Sequence, residues 1–137
     1  MQEPSVINRL GTSWAWFHLL STDAAGSQAF YEGLFGWRTE TADMEVGGCT
    51  VTYRLLLRGD AHFGGILELP EEARAQGAGT HWLNYVNVPD VDSHVEKATG
   101  LGATVICPPT DIPQAGRFCV IQDPTGAAVS LIKLASE

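Results

Sequence analysis

Positive charge is scarce in this sequence. Lys and Arg together number 8 against 16 Asp and Glu, which gives a formal net charge of −8 at pH 7. Nucleic acids and anionic membranes repel such a surface, and no cluster of Lys and Arg compensates for it. No apolar run approaches the roughly 18 residues that a membrane span needs. The first residues, MQEPSVINRLGTSW, have neither the basic start nor the apolar core of a signal peptide. We therefore expect a cytoplasmic protein whose partner is a small molecule.

Cysteine is also scarce, and the sequence lacks the common catalytic motifs. The three cysteines, Cys49, Cys107 and Cys119, are odd in number and form no CxxC pair. This argues against a disulfide framework or a structural zinc site and favours buried free thiols. A nucleophile elbow, a Ser-His-Asp order, a phosphate-binding glycine loop and a paired-carboxylate site are not recognisable. Hydrolase and nucleotide-binding functions are therefore weakly supported.

What the sequence does contain is the same order of elements twice. Strand-like segments alternate with helix-like segments, and Asp23 (or Thr22) and Asp90 are placed to cap the two helices. The first half reads WAWFHLLS, then the helix DAAGSQAFYEGLFG ending near Gly36, then WRTETA, TVTYRLLLR and HFGGILEL. Pro70 to Thr80 reads as a linker. The second half reads HWLNYVNV, the helix DVDSHVEKATGLG, then ATVICPP, GRFCVIQD and AAVSLIKL, with a DPTG turn before the last strand.

The two halves align with an offset of 67 residues through the helix. Asp23 matches Asp90, Gly33 matches Gly100, and Leu34 matches Leu101. We predict an α+β fold of two paired βαβββ modules, at about residues 12–69 and 81–135 of a single domain, 1–137. Their strands would form a curved eight-stranded mixed sheet around a cleft, with the helices outside.

Three segments resemble the glyoxalase/bleomycin-resistance/extradiol-dioxygenase group, also called the vicinal oxygen chelate superfamily. They are TDAAGSQAFYEGLFGW in the first half, and VPDVDSHVEKATGLGA and DPTGAAVSLI in the second. The resemblance covers nearly the whole chain. It implies paired βαβββ modules and, in many members, a divalent metal in the cleft that holds two vicinal oxygens of a substrate or intermediate.

The residues needed for that metal are missing. The resemblance places the ligands at Trp16 and Leu83 on the first and fifth strands, and at Gly65 and Ser130 on the fourth and eighth. Trp16 and Leu83 cannot ligate, and the usual quartet of His, Gln and Glu is absent. We therefore expect no metal and no other cofactor.

A rearranged metal site is the alternative. It would use four other residues: His18, His81, His62 and Glu68. His62 and Glu68 are six positions apart on one strand, or roughly 20 Å, and cannot share an ion. His18 and His81 lie at different ends of their strands and need not come close, so this site is not favoured.

Strand alternation predicts which side chains face the cleft. The predicted ligand-binding residues are Trp14, Trp16, His18, Leu83, Tyr85, Asn87 and Ser130, and Leu20 and Ile132 share their faces. Such a lining suits a flat, largely apolar ligand held by one or two hydrogen bonds. The alternative that these aromatic residues simply close the core stays open.

His18 is the candidate catalytic residue, because an imidazole can donate, accept or carry a proton near neutral pH. We expect it to be neutral at pH 7 between its flanking tryptophans. The predicted function is metal-independent binding of a small, largely apolar or aromatic metabolite or drug, and a homodimer is the assembly considered. The alternative is a lyase, isomerase or dioxygenase that uses His18 as acid or base, or a metal at rearranged ligands.

Overall fold

A computed structural model describes residues 14–46, 48–113 and 116–135, with side chains from Phe17 onward. The elements of these ranges are β1 (Trp14–Ser21), α1 (Ala24–Phe35), β2 (Arg38–Val46), β3 (Cys49–Arg58), β4 (Ala61–Glu68), α2 (Glu71–Ala75), β5 (His81–Asn87), α3 (Val91–Gly100), β6 (Thr104–Ile112), β7 (Gly116–Gln122) and β8 (Ala128–Leu134). No helix of the described residues is long and apolar enough to cross a membrane.

Both halves of the chain build the same strand order. The first half has the order β2-β3-β4-β1 and the second has β6-β7-β8-β5. The first strand of each half pairs in parallel with the last, β1 with β4 and β5 with β8. The other recorded pairings, β3 with β4, β6 with β7 and β7 with β8, are antiparallel. The predicted α+β class with two βαβββ modules is confirmed.

The chain divides into two compact units. The first unit contains Phe17–Met44 and Thr50–Leu83, and the second is formed mainly by the residues after Leu83. The core of the first unit consists of buried Leu19, Ala24, Leu56 and Ile66, with Tyr31, Trp37 and Phe63 packed against them. The core of the second unit consists of Val88, Val91, Cys119, Ile121 and Leu131.

Both long helices begin at the predicted aspartates. The Gly26 amide donates to Asp23 Oδ1 at 3.0 Å, and the Ser93 amide donates to Asp90 Oδ1 at 3.3 Å. These bonds satisfy amide groups that the first turn of a helix leaves without partners. α1 ends at Gly36, whose φ of +71° is a left-handed conformation that favours glycine.

The segment expected to be a linker contains a short helix. Residues Glu71–Ala75 form α2 within the stretch from Pro70 to Thr80. Glu71 and Glu72 place negative charge in its first turn, where the helix dipole favours it, and Arg74 lies in its last turn. The glycines and proline of this stretch indicated a loop, but these five residues are favourable for a single helical turn.

Candidate functional site: the His18–Tyr53 pair

The two faces of the strands in the first unit carry different chemistry. Leu19 and Ile66 pack with Ala24 at the start of α1, so their face is the apolar one. His18 neighbours Leu19 on β1 and therefore points to the opposite face. In the strand register His18 lies beside Gly65 of β4, and Gly65 lies beside Leu55 of β3. Tyr53, two residues before Leu55, shares that face.

His18 and Tyr53 form a buried hydrogen-bonded pair. His18 Nδ1 lies 3.0 Å from the Tyr53 hydroxyl oxygen, and the two rings meet edge to face with centroids 5.8 Å apart. His18 is 4% exposed and Tyr53 is 9% exposed. A polar pair buried to this degree is stable only because its members hydrogen-bond.

Gly65 provides the space for the Tyr53 ring. A Cβ atom at position 65 would overlap the Cε1, Cζ and hydroxyl oxygen of Tyr53. Any other residue at this position would therefore push the phenol away from His18. Glycine here serves the close approach of the ring to β4.

The imidazole of His18 is neutral at pH 7. Burial, and to a smaller extent the charge of His81, lower the pKa of His18 from 6.5 to about 4. The neutral state agrees with the expectation from the sequence. The His81 Nδ1–H group donates to the carbonyl oxygen of Gly79 at 2.7 Å.

Among the other residues predicted to bind ligand, two are only partly described. Trp14 and Trp16 belong to β1, but their side chains lie outside the described residues. Leu83 of β5 is 3% exposed and apolar. These three assignments stay predictions.

Two of the three predicted residues of the second unit lie side by side. Tyr85 of β5 pairs in register with Ser130 of β8, so their side chains share a face. Tyr85 is buried, with its ring 6.4 Å from that of Phe118. The Ser130 hydroxyl donates to the carbonyl oxygen of Cys119 at 2.6 Å, a bond that satisfies this buried group within the protein. Asn87 borders a shallow depression of about 400 Å³ beside Lys133.

The residues at the metal positions do not fit a divalent ion. Gly65 offers no side-chain donor and is covered by the ring of Tyr53. Leu83 is apolar, and Ser130 uses its hydroxyl as a donor to a carbonyl. No group of three or more His, Cys, Asp or Glu side chains that could hold a metal occurs among the described residues. A catalytic zinc usually needs about three such ligands.

Two residues of the rearranged metal site, His62 and Glu68, bond to other groups of the protein. His62 Nε2 lies 3.1 Å from Glu40 Oε1 on the exposed surface. Glu68 Oε1 accepts a hydrogen bond of 2.8 Å from the amide of Ala24, at the start of α1. Glu68 therefore supports the helix, and His62 forms a surface pair.

A second feature of the first unit was not foreseen from the sequence. A shallow depression of about 320 Å³ lies at the start of α1, lined by Ser21, Thr22, Ser27, Phe30 and Thr80 among others. Its hydroxyl groups bond to one another: Ser21 Oγ lies 2.7 Å from Ser27 Oγ, and Thr22 Oγ1 lies 3.2 Å from Thr80 Oγ1. Because these hydroxyls satisfy each other, the depression is a weaker candidate than the His18–Tyr53 pair.

Sequence reasoning also missed Tyr53 and the aromatic packing next to α1. Tyr53 lies 35 residues from His18, and only the register of β1, β4 and β3 brings the two together. The sequence signal that could have indicated Tyr53 was the alternation of side-chain faces in TVTYRLLLR, together with a glycine on the adjoining strand. The α1 side carries a chain of aromatic ring contacts with centroid distances of 4.7 to 5.7 Å, formed by Tyr31, Trp37, Phe63, Phe17 and Trp82.

Comparison with known proteins identifies relatives over most of the chain. The family model described as "Glyoxalase/Bleomycin resistance protein/Dioxygenase superfamily" matches residues 13–131. CFP32 of Mycobacterium tuberculosis, provisionally named a glyoxylase, is 37% identical over 133 residues, which is 97% of this chain and 48% of the relative. The anthracycline biosynthesis protein DnrV of Streptomyces peucetius is 34% identical over 128 residues, which is 85% of this chain and 45% of the relative.

The chain spans about half the length of these curated relatives. Among solved structures, methylmalonyl-CoA epimerase of Streptomyces coelicolor superposes with a TM-score of 0.63 at 19% identity. The match covers 91% of this chain and 96% of the epimerase. At this identity the likeness supports the fold alone.

Proposed function

Because the chain belongs to the glyoxalase/bleomycin resistance protein/dioxygenase superfamily, we propose that it binds a small, largely apolar or aromatic molecule at His18, without a metal or other cofactor. The observation that carries the proposal is the buried, neutral imidazole of His18 on the strand face opposite α1. A neutral imidazole in an apolar setting can hydrogen-bond a ligand hydroxyl or carbonyl. The Tyr53 hydroxyl supports the ring from its Nδ1 side.

An aromatic ligand is supported by one relative in particular. DnrV is named for anthracycline biosynthesis, and anthracyclines contain flat fused rings. The residues predicted to accompany His18, namely Trp14, Trp16, Leu83, Tyr85, Asn87 and Ser130, are mostly apolar or aromatic. Since His18 is only 4% exposed, ligand binding requires local opening around it. We therefore expect association slower than that of a ligand entering an open pocket.

The enzymatic alternative, a lyase, isomerase or dioxygenase with His18 as acid or base, has less support. A general acid or base works best when its pKa lies near the working pH. Burial lowers the pKa of His18 to about 4. At neutral pH such a group is a weak base and is almost never protonated to act as an acid.

The proposal includes a cytoplasmic location and a homodimer. Support for self-association comes from apolar side chains that are exposed on α1, Phe30 at 59%, Leu34 at 57% and Phe35 at 56%. Adjacent exposed apolar residues of this kind are common at interfaces between proteins. Light scattering of the eluted protein during size-exclusion chromatography measures the mass, and a monomer at all concentrations would contradict the homodimer.

The test of function combines a ligand panel with removal of metals. Purified protein is treated with a chelator, its metal content is measured, and a panel of aromatic metabolites is titrated by tryptophan fluorescence. We expect at least one ligand to bind the chelated protein. His18→Ala should weaken that binding by about 1 to 3 kcal/mol, or roughly 5- to 150-fold, because a buried ligand group loses its partner.

The matched control is His62→Ala, which removes an exposed histidine of the same unit. It should bind every ligand like the wild type. Equal affinities of wild type and His18→Ala for every ligand would show that His18 does not contact the ligand. Binding that disappears with the metal and returns when it is restored would overturn the metal-independent mechanism. Circular dichroism checks that each variant is folded, and His18→Gln replaces His18→Ala if the alanine variant is not.

A further inference from the structure

We propose that the depression at the start of α1 is a second binding site, independent of His18, that takes a neutral ring carrying several hydroxyl groups, such as a monosaccharide. The depression measures about 320 Å³ and is lined by residues of the first unit. This volume lies at the lower end of the range of roughly 300 to 1,000 Å³ found for small-molecule sites, so it suits a ligand of one ring.

The pair of Ser21 and Ser27 leaves one hydroxyl proton for a ligand. Ser21 is 2% exposed, and its Oγ accepts a hydrogen bond of 3.0 Å from the Asp23 amide and lies 2.7 Å from Ser27 Oγ. A buried O–H group without an acceptor would lower the stability, so Ser21 donates to Ser27 rather than the reverse. The proton of the half-buried Ser27 hydroxyl then has no acceptor in the ranges that the structure describes. It is available to an oxygen of a ligand.

Two further polar features of the depression have bonding capacity left. Thr80 Oγ1 accepts from the Thr22 amide at 3.1 Å and lies 3.2 Å from Thr22 Oγ1, so only one of these two O–H groups is used between them. Asp23 Oδ1 accepts from the Gly26 amide at 3.0 Å, whereas no described residue donates to Asp23 Oδ2. The depression thus offers two O–H donors and one carboxylate acceptor. Because a hydroxyl group both donates and accepts, a ligand with several hydroxyls can pair with all three.

Phe30 adds an apolar wall beside these polar groups. Its side chain is 59% exposed, and its ring meets that of Tyr31, which also lines the depression, edge to face at 4.9 Å. A sugar ring carries C–H groups on its faces and hydroxyl groups at its edge. It can therefore pack against an aromatic side chain while its hydroxyls bond to the polar groups.

An anion fits this depression poorly, although the depression lies at a helix N-terminus. Two of the first-turn amides that would hold an anion are already bonded to carboxylates, Ala24 to Glu68 Oε1 and Gly26 to Asp23 Oδ1. These carboxylates repel a further negative charge. A neutral ligand is therefore favoured. Because the depression is shallow, we expect weak binding, with a Kd on the order of 1 to 10 mM.

The experiment is ¹H–¹⁵N NMR of the full chain, titrated with glucose, galactose and mannose to roughly 100 mM, about ten times the weakest Kd expected. At least one sugar should shift the amide signals of Thr22, Ser27, Phe30 and Thr80 in a saturable way. Phe30→Ala and Ser27→Ala should each weaken this binding at least about fivefold, because each removes a contact with the ligand.

The matched control is Phe35→Ala, which removes a ring of similar exposure, 56%, from the same helix but outside the lining of the depression. It should bind the sugars like the wild type. His18→Ala should also do so, since His18 does not line the depression. Loss of sugar binding in His18→Ala would overturn the independence of the two sites, whereas sugar binding without any aromatic ligand would leave this proposal standing and the proposed function without support.

The absence of a saturable shift with all three sugars would overturn the proposal. Equal weakening by Phe30→Ala and Phe35→Ala would do the same, because it would point to an effect of self-association through α1. Inorganic phosphate serves as the anion probe, and tighter binding of phosphate than of any sugar at the depression would contradict a neutral ligand. If circular dichroism shows that Ser27→Ala is not folded, Thr80→Val, which removes an exposed hydroxyl, takes its place.

Discussion

Acidification should destabilise the wild type more than a variant without the His18 imidazole. Burial lowers the pKa of His18 to about 4, whereas an unfolded chain gives histidine its ordinary value of 6.5. The folded state therefore binds fewer protons than the unfolded state between these values, and the free energy of unfolding falls as the pH falls. The stability that goes with a neutral His18 is fully present above pH 6.5 and is lost progressively as the pH falls to 4.

The magnitude follows from the size of that pKa difference. The lowered pKa costs the folded state about 3 kcal/mol of stability below pH 4, where His18 is protonated in both states, and about 2 kcal/mol at pH 5. His18 is 4% exposed, so solvent screens little of this effect. Carboxylates also titrate in this range, but they are common to the wild type and the variant and cancel in the comparison.

The assay is urea unfolding, followed by tryptophan fluorescence at pH 7, 6 and 5. Between pH 7 and pH 5 the free energy of unfolding of the wild type should fall by about 2 kcal/mol more than that of His18→Gln. The control His62→Gln removes an exposed imidazole from the same unit, and it should follow the wild type. Parallel pH curves for wild type and His18→Gln would refute the reasoning. If His18→Gln is too unstable to measure, the ¹H NMR titration of the His18 ring tests the same pKa directly.

Three further substitutions test the packing around the site. Gly65→Ala should lower the free energy of unfolding by about 1 to 3 kcal/mol, because the added Cβ overlaps the Tyr53 ring. The control Gly33→Ala, whose Cβ would have no atom within 4 Å, should be neutral or stabilising, and equal effects of the two substitutions in urea unfolding would be inconsistent with the close packing. Asp23→Ala should cost about 1 kcal/mol in thermal or urea unfolding through loss of the α1 cap, and an unchanged midpoint would argue against the cap. Ser130→Ala should cost about 1 kcal/mol in urea unfolding, since it removes a buried hydrogen bond to the Cys119 carbonyl oxygen. The ligand affinity of this variant, measured in the fluorescence panel, decides whether the predicted binding role also holds.

Local signals in the sequence predicted the helices and strands well because particular residues mark where each of them begins or ends. Asp23, Asp90 and Gly36 mark helix ends through bonds and conformations that involve only nearby residues. Strand β6 was predicted to end at Pro109, but it continues to Ile112. It is the outermost strand of its half, where a proline without an N–H group can be accommodated, and the register shifts between Cys107 and Thr110.

The candidate site was harder to predict because it depends on contacts between distant strands. Alternation alone indicated that His18 and Leu19 point to opposite faces. That Tyr53 reaches His18 depends on the register of β3 against β4 and on the missing side chain of Gly65. Neither can be read from one strand at a time. The same applies to Ser130, whose hydroxyl bonds to a neighbouring strand.

The central claim is that a small molecule binds at His18 without a metal. The most direct measurement is ¹H–¹⁵N NMR of the chelator-treated protein, titrated with an aromatic ligand that binds in the fluorescence panel. We predict that the shift changes concentrate on His18, Tyr53 and the adjoining residues of β4, and that they disappear in His18→Ala. Changes confined to the depression at Ser21 and Thr80, or changes that appear only after a divalent metal is added, would contradict it.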